Sequence, residues 1–130
     1  MVFFGEYQVS SSAPGRILLP KKLRELLKGN TFVLTRGFDS CLAGYDRQDW
    51  ESRSQALMTV SLLERDNIEK RRSLFSSAVY SDIDDQGRFV IPKHLLSFAG
   101  ISEKAMVVGV GDHFEIWEPA KWNAYIQSNS

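Results

Sequence analysis

Gly15-Arg16-Ile17-Leu18-Leu19-Pro20-Lys21-Lys22-Leu23 returns 72 residues later as Gly87-Arg88-Phe89-Val90-Ile91-Pro92-Lys93-His94-Leu95. Five of the nine pairs are identical, and three of the others set apolar against apolar. Without gaps the match runs outward: Phe3 meets Phe75, Gly37 meets Gly109, Tyr45 meets Trp117 and Trp50 meets Trp122. That makes eight identities in 49 pairs over residues 2–50, where average composition gives roughly three. The clustering of the identities points to an ancestral duplication.

Each copy has the same order of elements. A short strand (Glu6–Val9; Val79–Ile83) leads to a turn at Gly15 or Gly87. A run of strand formers follows, Arg16–Leu19 or Arg88–Ile91, too short for a helix. Pro20 or Pro92 then opens a helix, where its missing N–H costs nothing. The spacing predicts a first helix over Lys21–Lys28 ending at Gly29-Asn30, and a second carrying Leu95, Leu96 and Phe98 before Gly100. Two strands close each copy, Thr31–Thr35 with Cys41–Tyr45 and Ala105–Val110 with His113–Trp117, and a last helix begins at Asp46 or Glu118-Pro119.

The organisation expected is a first repeat over 1–50, charged linking helices over 51–76 and a second repeat over 77–127, with residues 51–78 reading as helical. Neither repeat is long enough to bury a good core alone, so the two should share one around a pseudo-twofold axis.

The chain holds 130 residues with 16 basic and 16 acidic side chains, and 43% of it is hydrophobic. That is enough for a packed core and too much for disorder. One cysteine, Cys41, excludes an internal disulfide. No apolar run approaches a membrane span and no signal peptide is visible, so a soluble cytoplasmic protein is expected. Spacings of the C-x-x-C or H-E-x-x-H kind are absent, as is a glycine-rich phosphate loop, so no metal, cofactor or catalytic residue is expected. A Cys41–His113 catalytic pair would need the two side chains adjacent in space.

Zero net charge hides a polarised distribution. Between Pro14 and Arg36 stand six basic residues (Arg16, Lys21, Lys22, Arg24, Lys28 and Arg36) against one acid, Glu25. Residues 1–65 carry +2 and residues 66–130 carry −2. The basic stretch surrounds the first Gly-Arg turn. In the second copy the turn reads Asp84-Asp85-Gln86-Gly87-Arg88, in which an Asp fastens backbone N–H groups and Gly supplies a positive φ. Two readings stand open. Asp84 and Arg88 pair with each other to hold the turn, or a symmetric pair of arginine forks straddles a phosphate backbone or enters a groove.

The repeated G-R-x-x-x-P block, the full D-x-x-G-R-x-x-x-P pattern at Asp84–Pro92, the start Phe3-Phe4-Gly5-Glu6-Tyr7 and the Tyr45…Trp50 and Trp117…Trp122 pairs resemble the MraZ family of bacterial transcriptional regulators. The resemblance covers nearly the whole chain. It implies an α+β, β-rich fold: a pseudo-twofold double-split β-barrel of two AbrB-like (SpoVT-AbrB) repeats with flanking helices. It implies regulation, generally repression, of the division and cell-wall gene cluster. The partners it implies are double-stranded promoter DNA with direct repeats and further copies of the chain, in a ring of eight or twelve, in the cytoplasm and nucleoid. The DNA contacts it implies are Arg16 and Arg88, with Lys21, Lys22, Arg24 and Lys93 in support, on turns formed by Ser12, Gly15, Asp84 and Gly87. The alternative is an AbrB-type antitoxin or protein-interaction module. Ser12 departs from the motif Asp, and the loss of that carboxylate predicts Arg16 as the freer guanidinium, with Arg88 partly held by Asp84.

Overall fold

Alternation along two three-residue strands builds the centre of the molecule. In β2 (Arg16–Leu18) and β6 (Arg88–Val90) only the middle residues, Ile17 and Phe89, are buried. The strands pair antiparallel with Ile17 opposite Phe89, which turns both inward and leaves Arg16, Leu18, Arg88 and Val90 on the outer face. In the computed structural model, which describes residues 1–59 and 63–129, this ribbon packs on a six-stranded antiparallel sheet. Val60–Leu62, part of the stretch expected to be helical, lie outside the described residues.

The sheet contains β1 (Glu6–Ser10), β3 (Thr31–Arg36), β4 (Leu42–Asp46), β5 (Val79–Asp82), β7 (Lys104–Gly109) and β8 (Phe114–Trp117), in the order β1-β7-β8-β4-β3-β5. Helices α1 (Lys21–Arg24), α2 (Arg47–Met58), α3 (Arg65–Ser77), α4 (Lys93–Ala99) and α5 (Pro119–Ser128) flank it. The duplication is visible in the pairing. Ala43 of β4 faces Glu115 of β8 just as Ile17 faces Phe89, each residue against its counterpart 72 positions on, as a twofold axis through both contacts requires. The early strand of each half crosses to the other: β1 pairs with β7, and β5 with β3. The edge strands β1 and β5 pack beside β2 and β6 without pairing with them, which leaves the layers split. The fold is therefore α+β and β-rich, with the two halves interlocked.

One core serves both halves. Phe32 meets Phe89 edge-on with centroids 4.9 Å apart, Phe32 meets Phe114 at 5.4 Å, and Phe114 meets Phe3 at 5.7 Å. Leu19, Leu23, Ile91 and Leu95, from the ribbon ends and the helices after them, close the cluster. Each such side chain contributes about 1.5–3 kcal/mol on burial.

Two local expectations are corrected. Helix α1 stops at Arg24 instead of Lys28: the N–H groups of Leu26 and Leu27 reach only three residues back, to Leu23 and Arg24. The next donor, the Lys28 N–H, is diverted to Asp46 Oδ1 at 2.9 Å. Its counterpart α4 runs on to Gly100, which takes a left-handed φ of 70° while the Ile101 N–H bonds Leu96 O. The connection from α4 to β7 therefore holds one residue more than its counterpart from α1 to β3. Ser10 pairs with Lys104 while its counterpart Asp82 pairs with Thr31, an offset of 73, so Gly109 corresponds to Arg36 and not to Gly37. The offset is back at 72 in β8, where Tyr45–Trp50 at 5.4 Å and Trp117–Trp122 at 5.2 Å are equivalent pairs.

A chain of polar contacts ties α2 to the β7–β8 turn. Asp49 accepts from Arg53 Nε and Asp112 pairs with Arg53 Nη1, both at 3.0 Å. His113 Nδ1 lies 2.6 Å from Asp112 and its Nε2 lies 3.5 Å from Glu115, while the ring stacks on Tyr45 with centroids 4.7 Å apart. Burial disfavours the imidazolium, but hydrogen bonds to Glu115 and Asp112 outweigh it and raise the His113 pKa. Glu115 and Asp112 are held low, Glu115 against its own burial and Asp112 chiefly by its bond to His113. The stability His113 supplies is fully present below its unfolded pKa of about 6.5 and is lost as pH rises through the higher folded value. The carboxylates' share is present above about 4.3 and is lost as pH falls through their depressed values. Melting temperature should therefore drop on going from pH 6 to pH 8.5, and the drop should shrink in His113→Gln. An equal drop in that variant would remove His113 from the account.

Candidate nucleic-acid interface

The two Gly-Arg turns stand at opposite ends of the ribbon and share a backbone plan. The Ser12 N–H donates to Arg16 O and the Asp84 N–H to Arg88 O, both at 2.9 Å. Gly15 and Gly87 are buried at φ 75° and 84°, a region a side chain rarely enters. Across the ribbon, Leu19 N–H bonds Gly87 O at 2.9 Å and Ile91 N–H bonds Gly15 O at 2.7 Å, so each strand clamps the other's turn.

The turns differ in what fastens them. Asp84 Oδ1 accepts the N–H groups of both Gln86 and Arg88 at 2.9 Å. The first turn has Pro14 where Gln86 supplies its donor, and the Ser12 hydroxyl reaches Arg16 O only at 3.5 Å. The ion pair also runs the other way from expectation. Asp84 Oδ2 binds Arg16 Nη2 of the opposite turn at 3.0 Å, and the Arg88 guanidinium donates to the Gln86 side chain in its own turn. The register sets residue 16 opposite Val90, two residues along the strand from Arg88, and the Arg16 side chain reaches from there to the Asp84 carboxylate of the other turn. The Arg88 N–H and then the Arg16 guanidinium hold the Asp84 carboxyl below the usual range, so it is ionised at neutral pH.

Arg16, Asp84 and Arg88 line one open groove with Tyr80, Val90 and Pro92. Lys21, Lys22 and Lys93 stand exposed where α1 and α4 begin, and Lys21 pairs loosely with Glu25 at 4.0 Å. Arg24 is also tied into the second turn. It is half-buried, its Nε donates to Leu19 O at 2.8 Å, and its guanidinium lies where a side chain on Gly87 would be, 2.4 Å from the site of that Cβ. Its counterpart Leu96 packs under Gly15 in the same way. The residues that sequence reasoning passed over are Leu18 and Val90, 39% and 58% exposed between the arginines. Their signal was the apolar run itself, whose alternate members must face outward once Ile17 and Phe89 are taken inward.

Cys41 and His113 stand just before the equivalent strands β4 and β8, but the buried thiol bonds Glu115, and burial followed by that carboxylate's charge pushes its pKa up. It is a protonated thiol and not a nucleophile. Among the described residues no helix is long and apolar enough to cross a membrane, and no three His, Cys, Asp or Glu side chains gather as a metal site.

A family profile described as "MraZ protein, putative antitoxin-like" matches residues 2–72 and 74–130. A protein of Ligilactobacillus salivarius named "Transcriptional regulator MraZ" is 41% identical over 124 residues, covering 95% of this chain and 86% of the relative. Proteins of the same name from Clostridium beijerinckii, at 40% over 98% of this chain and 89% of theirs, and from Acetivibrio thermocellus, at 36% over 95% and 86%, extend the likeness to both turns and the helices between them. The doubled Gly-Arg turn, the crossed strands and a match over residues 2–72 and 74–130 agree, and the chain belongs to the MraZ family, whose members in these three organisms are named as transcriptional regulators and not as enzymes.

Proposed function

We propose that the chain is a sequence-specific transcriptional regulator that binds double-stranded DNA and represses the division and cell-wall gene cluster. The observation that carries this reading is the outer face of the ribbon: two strands presenting Arg16, Leu18, Arg88 and Val90. The major groove, about 12 Å wide, admits a two-stranded ribbon. There, arginine forks meet guanine edges or phosphates, and aliphatic side chains meet thymine methyls. Lys21, Lys22 and Lys93 at the flanking helix starts add phosphate contacts, and Arg24 supports the second turn from behind. The repeats 1–50 and 77–127, joined by 51–76, act as one unit, because a ribbon strand from each is needed to make the face.

One ribbon offers few base contacts. Several copies in a ring, each on one direct repeat of the promoter, would multiply weak contacts into a firm complex, and the zero net charge of the subunit favours such assembly in the cytoplasm and nucleoid. Gel shifts of the purified chain on duplex DNA from upstream of its own gene, with a scrambled duplex as control, test this. Preferential binding is expected, weakening with salt at a log–log slope of about −0.9 per phosphate neutralised. Equal retention of both duplexes at moderate salt overturns it. Salt-insensitive capture of a protein partner without DNA binding would favour the antitoxin or interaction-module reading.

A further inference from the structure

The pseudo-twofold axis maps Arg16 onto Arg88 and Asp84 onto Ser12. The symmetric mate of the Arg16–Asp84 bridge is therefore Arg88 with residue 12, and residue 12 carries no charge. We infer that Ser12 leaves Arg88 as the guanidinium that meets DNA most strongly, while Asp84 holds Arg16 back across the ribbon. This rests on the DNA-binding reading and reverses the order of the arginines expected from sequence.

The physical argument is competition. A phosphate or guanine reaching Arg16 must displace a fixed carboxylate that is itself anchored by two backbone N–H groups. One reaching Arg88 displaces only the neutral amide of Gln86, on an exposed side chain that swings away freely. An exposed ion pair shifts an equilibrium by up to about five-fold, whereas a good arginine contact to a base is worth about ten- to hundred-fold. Asp84 thus lowers the yield of Arg16 without abolishing it, and the site is lopsided by one carboxylate.

Three substitutions read this directly on the upstream duplex. Arg88→Ala should weaken binding about ten- to hundred-fold, and Arg16→Ala several-fold less. Ser12→Asp supplies the missing carboxylate and should weaken binding by up to about five-fold, an effect that vanishes in the Arg88→Ala background. Asp84→Asn keeps Oδ1 for its two backbone donors and removes the charge facing Arg16. It should tighten binding by up to about five-fold and steepen the salt dependence, with no gain in the Arg16→Ala background. Melting temperatures of all variants establish that each is folded. If the parent chain binds its upstream duplex but Arg16→Ala costs as much as Arg88→Ala, or Ser12→Asp acts equally with and without Arg88, the inference is overturned. If the parent chain shows no preference over scrambled DNA, the underlying DNA-binding reading has failed instead.

Discussion

Phe114→Ala should remove about 3–5 kcal/mol of stability, a large share of the roughly 5–15 kcal/mol a domain possesses, and lower the melting temperature by about 10 °C or more. Phe114 is fully buried and lies between the rings of Phe3 and Phe32. It stands opposite Gly44 in the β4–β8 pair, where a Cβ on Gly44 would lie 2.3 Å from the ring. The glycine is there to admit the phenyl group. This makes a second expectation of opposite sign: Gly44→Ala should destabilise the parent chain by overpacking, yet stabilise Phe114→Ala by partly filling its void. Denaturant midpoints of the two single variants and the double variant measure the coupling. Additive costs would contradict the packing described.

Gly109→Ala is expected to cost about 3 kcal/mol or more, on the scale of deleting a core phenyl. The chain at Phe3 and Phe4 crosses Gly109 so closely that a Cβ would lie 2.2 Å from Phe4 N and 2.4 Å from Phe3 C. Those neighbours are backbone and cannot rotate away. They are also pinned, since Phe3 exchanges two 2.8 Å hydrogen bonds with Gly111 and the Gly109 N–H donates to Gly5 O. The added methyl must lift the amino-terminal segment and draw Phe3 out of the core. Phe3→Ala and Gly109→Ala should then be strongly non-additive, the pair costing little more than the worse single change. Full additivity in chemical denaturation would show that Phe3 keeps its place.

All eight strands were legible to within a residue or two, because alternation, β-branched runs and Gly or Pro punctuation are local signals. Helix α1 was overread because the Leu23, Leu26 and Leu27 stripe continues past the point where Asp46, 18 residues away, takes the Lys28 N–H. The arginines and their turns were legible as a repeat. Their partners were not. Asp84 lies four residues from Arg88 and 68 from Arg16, yet the guanidinium its carboxylate binds is that of Arg16, because the antiparallel ribbon lays residue 16 opposite Val90, within a side chain's reach of the turn before β6. The contact of Arg24 with the second turn was hidden for the same reason: only the folded chain shows Gly87 leaving room for its guanidinium. Distant pairings of this kind leave no mark on a local window.

The crossed edge strands set a timetable for synthesis. Strand β1 leaves the ribosome well ahead of its partner residues Lys104–Val108, which follow almost a hundred codons later. At about 5–20 residues per second that interval lasts roughly 5–20 s. During it the β3–β4 hairpin can close, while Tyr7 and Val9 wait on an unpaired edge open to other nascent chains. A message cut short before the codon for Lys104 would therefore release β1 and the β3–β4 hairpin with no completed sheet.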